Sequence, residues 1–215
     1  KKRVRRGEYW EKFQQLHHGK VILDQDEYDS ALNMRRVIEA DPLAMEYLDD
    51  GTAQDTLIWR DKDTGILCKG RTDWITSESC KRHPNALADL KTAKSVVPWK
   101  FASDGTRLFY HAKMAWYADA FETVTFTKPS EVVLIAVENV GCHDVVVYDL
   151  DDEQVLDYGR AEYHKWLELL AECKASNKWP GIGKGAKVPF SLPKYARNDN
   201  DDESFLDDLD FGGET

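Results

Sequence analysis

The order of apolar patterns constrains this 215-residue chain most: short runs rich in β-branched and aliphatic residues alternate with segments of helical period. "TLIWRDKDTGILCKGRTDWI" predicts two strands joined at "DKDTG", with Gly65 supplying a positive φ. "ALADLKT" predicts a further strand, and "EVVLIAVEN" with "CHDVVVYDL" a hairpin turning at Gly141. Apolar residues recur at three and four positions through "DQDEYDSALNMRRVIEADPLAMEYL", where Asp24 can cap one helix and Pro42 can open a second. "TRLFYHAKMAWYADAFE" reads as one helix, with Phe109, Ala112 and Trp116 on one side and Tyr110, Lys113, Met114 and Tyr117 on another. "DDEQVLDYGRAEYHKWLELLAECKAS" reads as an amphipathic helix with acidic residues at its positive end. This order implies an α/β domain: a mixed central β-sheet flanked by helices.

Composition narrows the class. Hydrophobic content of 42%, aromatic content of 11% and seven Trp suit a folded globule. No apolar run approaches the ~20 residues that cross a bilayer, and "KKRVRRGEYW" lacks the apolar core of a secretory leader. Cys68, Cys80, Cys142 and Cys173 never form C-x-x-C, which favours free thiols in a reducing cytosol over a zinc site or disulfide frame. The expectation is a cytoplasmic protein with no membrane association.

The net charge of −10 is unevenly spread. Eight acidic residues (Asp199, Asp201, Asp202, Glu203, Asp207, Asp208, Asp210 and Glu214) and no Lys or Arg follow Arg197, leaving the body near −2. A near-neutral body can hold a basic groove, so bulk charge does not exclude a nucleic-acid partner. The expected organisation is a basic segment over 1–23, the α/β domain over 24–197 and a disordered acidic tail over 198–215.

Within that domain, "LADLKT" is chemically unusual. Alternation puts Leu87, Asp89 and Lys91 on one face of a strand and Ala88, Leu90 and Thr92 on the other, so Leu90 is expected to be buried. The preceding strand carries Lys69, Arg71 and Asp73 on one face. If the two strands pair, Asp73 and Asp89 approach to ~5 Å, and two carboxylates that close need a cation between them. Mg²⁺ fits oxygen ligands and a phosphate substrate, with Mn²⁺ as a substitute. Lys91 can then hold the attacking water and steady charge developing on phosphorus.

G-R-x-D, fifteen intervening residues, then D-x-K resembles the PD-(D/E)XK nuclease superfamily. The wider pattern is similar to the exonuclease VIII (RecE-like) family of phages and prophages. It comprises Gly51, Thr56 and Trp59; Gly65, Lys69, Arg71 and Asp73; Asp89, Lys91 and Thr92; Tyr110, His111 and Tyr117; Val137 and Glu138; and Trp179, Pro180 and Gly181. The resemblance implies a Mg²⁺-dependent exonuclease acting 5′→3′ on linear double-stranded DNA. It would leave 3′ single strands for recombination with an annealing partner, and it would form a closed homo-oligomer. Asp73, Asp89 and Lys91 would be catalytic, with the Leu90 carbonyl a further metal ligand. Lys69, Arg71, Lys113 and Tyr117 would contact DNA, with Gln54, Asp55, Thr92 and Tyr110 as additional site residues.

Two positions depart from the family pattern. Gln54, with Asp55 beside it, stands where the family has Glu, and Lys113 stands where it has Gln. They support a rival reading, a non-catalytic DNA-binding or interaction module descended from the nuclease fold; a PD-(D/E)XK endonuclease is a further alternative. His111 is expected to be a satisfied packing residue. "GIGKGAK" lacks the Lys-Ser/Thr ending of a phosphate loop, leaving Lys184 and Lys187 as candidate backbone contacts.

In the tail, Phe205, Leu206, Leu209 and Phe211 punctuate the acidic run, a pattern suited to docking on a basic groove of a partner. Deleting 198–215 is then expected to leave DNA cleavage intact and abolish pull-down of an annealing partner. Pull-down that survives the deletion removes the docking role.

Overall fold

The computed structural model describes residues 5–150, 153–181, 186–187 and 189–190. The tail 198–215, Lys184 and the first four residues lie outside them. The chain divides into units of residues 1–171 and 172–215. In the second unit the described residues comprise the last turn of a helix and irregular chain, with Lys187 exposed.

The elements are α1 (Glu8–Leu16), α2 (Gln25–Ala40), α3 (Pro42–Leu48), β1 (Gly51–Ala53), β2 (Thr56–Arg60), β3 (Leu67–Arg71), β4 (Trp74–Thr76), β5 (Leu87–Ala93), α4 (Pro98–Arg107), α5 (Tyr110–Thr125), β6 (Val132–Glu138), β7 (Val145–Asp149) and α6 (Glu153–Ser176). The helix starts follow local chemistry. Asp24 accepts the Glu27 N–H while the Glu27 carboxylate accepts the Asp24 N–H, both at 2.9 Å, closing a capping box on α2. Asp41 accepts the Ala44 N–H at 2.8 Å and Pro42 fills the first turn of α3.

Five strands form a mixed sheet in the order β1-β4-β5-β6-β7, parallel only between β5 and β6. Alternation along β6 explains its unbroken apolar run. Val132, Leu134 and Ala136 pack in one core with Leu87, Met114, Ala115, Phe121 and Leu167; Val133, Ile135 and Val137 pack in another with Ile38, Ala44, Tyr47 and Ala88. The first core holds α5 over β5, on the face that carries Asp89 and Lys91. The second core stops at Ala88, so Leu90 is 44% exposed, against the expectation that it is buried.

The expected strand "CKGRTDWI" is broken. β2 and β3 form a separate two-stranded sheet, and the chain leaves the large sheet at Gln54–Asp55 and re-enters it at Thr72–Asp73. The two crossings are tied together: Gln54 N–H donates to the Asp73 carbonyl at 3.1 Å and Thr72 N–H to the Asp55 carbonyl at 3.0 Å. Gln54 sits at φ +59°, so the bend is built into the backbone.

The helix expected over 106–122 is also two. α4 is an addition to the expected elements; Pro98 opens it and Phe101 anchors it in the core. Between α4 and α5 the chain turns through Phe109 at φ +58°. Gly105 in α4 makes this turn useful, because a Cβ there would lie 3.2 Å from the Tyr110 ring. The missing side chain lets that ring lie close to α4.

Candidate active site

The register of β4 on β5, Trp74↔Ala88 and Ile75↔Leu87, places Asp73 opposite Asp89 one step beyond the last pair. The Asp89 side chain is 1% exposed and that of Asp73 42%. Lys91 donates to Asp89 Oδ2, and its Nζ lies 3.9 Å from Asp73 Oδ2. From α5, Lys113 Nζ donates to Asp89 Oδ1 at 2.7 Å and lies 3.8 Å from Asp73 Oδ1. Two carboxylates and two ammonium groups therefore meet at one point. A carboxylate buried as deeply as Asp89 costs several kcal/mol (an order-of-magnitude figure) unless paired, and here both of its oxygens are engaged.

Aromatic rings flank the cluster. Lys91 Nζ lies 5.1 Å from the Tyr110 ring centroid and Lys113 Nζ 5.2 Å from that of Tyr117. A Cβ at Gly70 in β3 would stand 3.0 Å from the Tyr117 ring, so glycine there admits the tyrosine. Burial, and secondarily the nearby Lys113 cation, push the Lys91 ammonium down to about 8 against the opposing pull of Asp73. That brings a lysine towards the range useful for handling a water proton.

The donor set fits a hard divalent cation. Asp89 offers oxygen from β5 and Asp73 from the bend that leads into β4. Leu87 donates its N–H to Glu131 on the β6 side, so alternation turns the Leu90 peptide groups the other way, towards where β4 departs. The Leu90 carbonyl thus lies on the side of the Asp pair. A dication there has to displace the Lys113 ammonium, which its one-third-exposed side chain permits.

Other expected site residues are placed as follows. Asp55 and Gln54 adjoin Asp73 through the backbone; the Asp55 carboxylate accepts from Thr52 Oγ1 at 2.5 Å, and the Gln54 side chain is exposed. Thr92 is exposed on the Leu90 face, away from Asp89 and Lys91. Lys69 and Arg71 are exposed on the face of β3 opposite Cys68 and Gly70, the face that meets α5. The shared face expected for Lys69, Arg71 and Asp73 is therefore not found, because the strand ends at Arg71 and the chain bends before Asp73.

His111 is buried as expected but is not satisfied: its Nε2 has no hydrogen-bond partner, and burial holds the imidazole below its ordinary value against the pull of Glu162. Sequence reasoning also missed a second donor group, Asp61, Asp63 and His164, whose ligand atoms lie within 4.8 Å of one another. The D-x-D at the β2–β3 turn was its only signal. Asp61 is already engaged there, accepting from the Thr64 N–H at 2.8 Å and the Thr64 hydroxyl at 2.5 Å.

A mixed sheet with helices on both faces and acid–lysine chemistry beside its third strand defines a PD-(D/E)XK-type domain. The match to known families is specific: the model of the PDDEXK-like domain of unknown function (DUF3799) covers residues 3–188, and the chain belongs to that family. Among solved structures, the fold is shared with a "Putative exonuclease" from Eubacterium rectale, at TM-score 0.61 and 15% identity over 95% of this chain and 74% of that one. A structure of SSO0001 aligns at TM-score 0.34 and 13% identity over 80% of this chain and 69% of its own, too distantly to support an argument. No curated protein matches in sequence. These matches bear out the superfamily without singling out its exonuclease VIII branch.

The unequal burial of the two acids is testable in metal-free buffer. Asp89→Ala leaves two ammonium groups facing each other and is expected to lower unfolding free energy by about 3 kcal/mol. Asp73→Ala is expected to change it by less than about 1 kcal/mol. Urea unfolding followed by tryptophan fluorescence checks the contrast, and equal losses would contradict it.

Proposed function

We propose that this domain hydrolyses phosphodiester bonds in DNA, with a divalent cation held by Asp73, Asp89 and the Leu90 carbonyl. The observation that carries the reading is the meeting of two carboxylates, one from β5 and one from the bend before β4, with Lys91 at one point. When bound, Mg²⁺, or Mn²⁺ in its place, supplies a Lewis acid and a more acidic water. Lys91, fixed by Asp89 below and the Tyr110 ring beside it, positions the attacking oxygen and offsets negative charge building on the phosphoryl oxygens. Lys113, released from Asp89, is free to pair with the DNA phosphate, with the Tyr117 ring beside its ammonium.

The finer reading follows the motif order shared with exonuclease VIII-like proteins. It is a 5′→3′ exonuclease on linear duplex ends, forming a homo-oligomer and passing 3′ single strands to an annealing protein. One observation favours a second reading, a DNA-binding module without hydrolysis: the Lys113 cation engages Asp89 where the family has a neutral amide. Among the described residues no helix is long and apolar enough to cross a membrane.

End-labelled linear and closed circular duplexes, incubated with Mg²⁺ or EDTA, separate these readings. The linear substrate alone should be degraded, EDTA should stop the reaction, and Lys91→Ala should slow it at least about a hundredfold. Cutting of the circle points to an endonuclease, and intact DNA throughout points to the binding module. Lys113→Gln removes the displaced cation, so calorimetric titration with Mg²⁺ is expected to show about tenfold tighter binding, the equivalent of ~1.4 kcal/mol. Unchanged affinity would mean that Lys113 does not compete for the metal position.

A further inference from the structure

Alongside α5, the α4–α5 junction and α6 enclose an open groove of about 460 Å³, within the ~300–1,000 Å³ typical of small-ligand sites. Its walls include Phe109, Trp116, Trp166, Leu167 and Leu170, and among the described residues Lys113 is the one charged side chain lining it. Phe109 and Trp166 meet edge to face at 5.1 Å and 84°, yet remain 45% and 46% exposed. Large rings held in place but left half in water form a surface that still has apolar area to cover. Phe109 is carried there by its left-handed backbone, an unfavourable conformation for a bulky residue, so the rim is formed at an energetic cost.

Lys113 fixes what the groove can take. It lines the groove while its Nζ lies 2.7 Å from Asp89, so an occupant ends beside the acid pair. An apolar floor adjoining a single ammonium matches a nucleotide, whose flat base lies one sugar away from its phosphate. We propose that this groove binds the unpaired terminal base of a DNA strand, stacked on Trp166, with the adjoining phosphate at Lys113 beside the carboxylates. The inference rests on the nuclease reading and adds to it a subsite for a frayed end. Recognition through a ring face is indifferent to sequence, as degradation along a whole strand requires.

The test is fluorescence anisotropy with Ca²⁺ in place of Mg²⁺, which keeps a hard dication at the carboxylates so that Lys113 is released, read before turnover. It uses a labelled duplex ending in one unpaired adenine, on either strand, and the same duplex with an abasic residue in that place. Both carry the same phosphates, so the comparison isolates the base. The intact protein is expected to bind the adenine end about tenfold more tightly than the abasic end. Trp166→Ala should bring that ratio close to one, and Trp166→Phe should keep most of it. A ratio near one in the unsubstituted protein, or one that Trp166→Ala leaves unchanged, overturns the proposal. Mg²⁺-dependent nucleotide release by the same preparation judges the nuclease reading separately. Release with a ratio of one sinks the groove alone; no release and no DNA binding sinks both. If Trp166→Ala instead dissociates an oligomer in sedimentation velocity, the groove is covered by a second copy of the chain and the proposal fails.

Discussion

Everything at this site depends on a negative charge held where water scarcely reaches. Asp89 is tolerated in the core because β5 supplies Lys91 two residues later and α5 lowers Lys113 onto its other oxygen. Each ammonium has its own requirement. Lys91 needs Tyr110 beside it, which needs Gly105 in α4; Lys113 needs Tyr117, which needs Gly70 in β3. α5 itself stays in place because Met114, Ala115 and Phe121 pack against β5 and β6. The chemistry and the core are therefore one construction, in which the apolar contacts set the distances between charges.

Much of this was legible from residue order. Asp24 and Asp41–Pro42 announced two helix starts, Gly65 and Gly141 two turns, and the β-rich run of β6 one arm of a hairpin. The facing of Asp73 and Asp89 was also accessible, because antiparallel neighbours of known register leave little freedom. What was hidden has a common cause: alternation and helical period describe an element only while it continues. Nothing around Thr72 signals that the strand ends and the chain changes sheet, so Lys69 and Arg71 were placed on a face that Asp73 does not share. Likewise no Gly or Pro marks the break at Leu108–Phe109; tertiary packing imposes a left-handed phenylalanine there. Lys113 showed no sequence sign of pairing with Asp89, since that contact exists only once α5 lies across β5.

The passage between the two sheets has a mechanical meaning. Asp89 belongs to the interior of a strand with neighbours on both sides, whereas Asp73 rides on a joint, tied to the opposite crossing through Gln54 and Asp55. The β2–β3 ribbon extending from that joint is held against α5 by the edge-to-face contact of Trp59 with Trp116 and is anchored in the core by Leu57 and Cys68. The position of Asp73 is therefore set by packing in the small sheet as well as by pairing in the large one, whereas that of Asp89 is set by the large sheet alone.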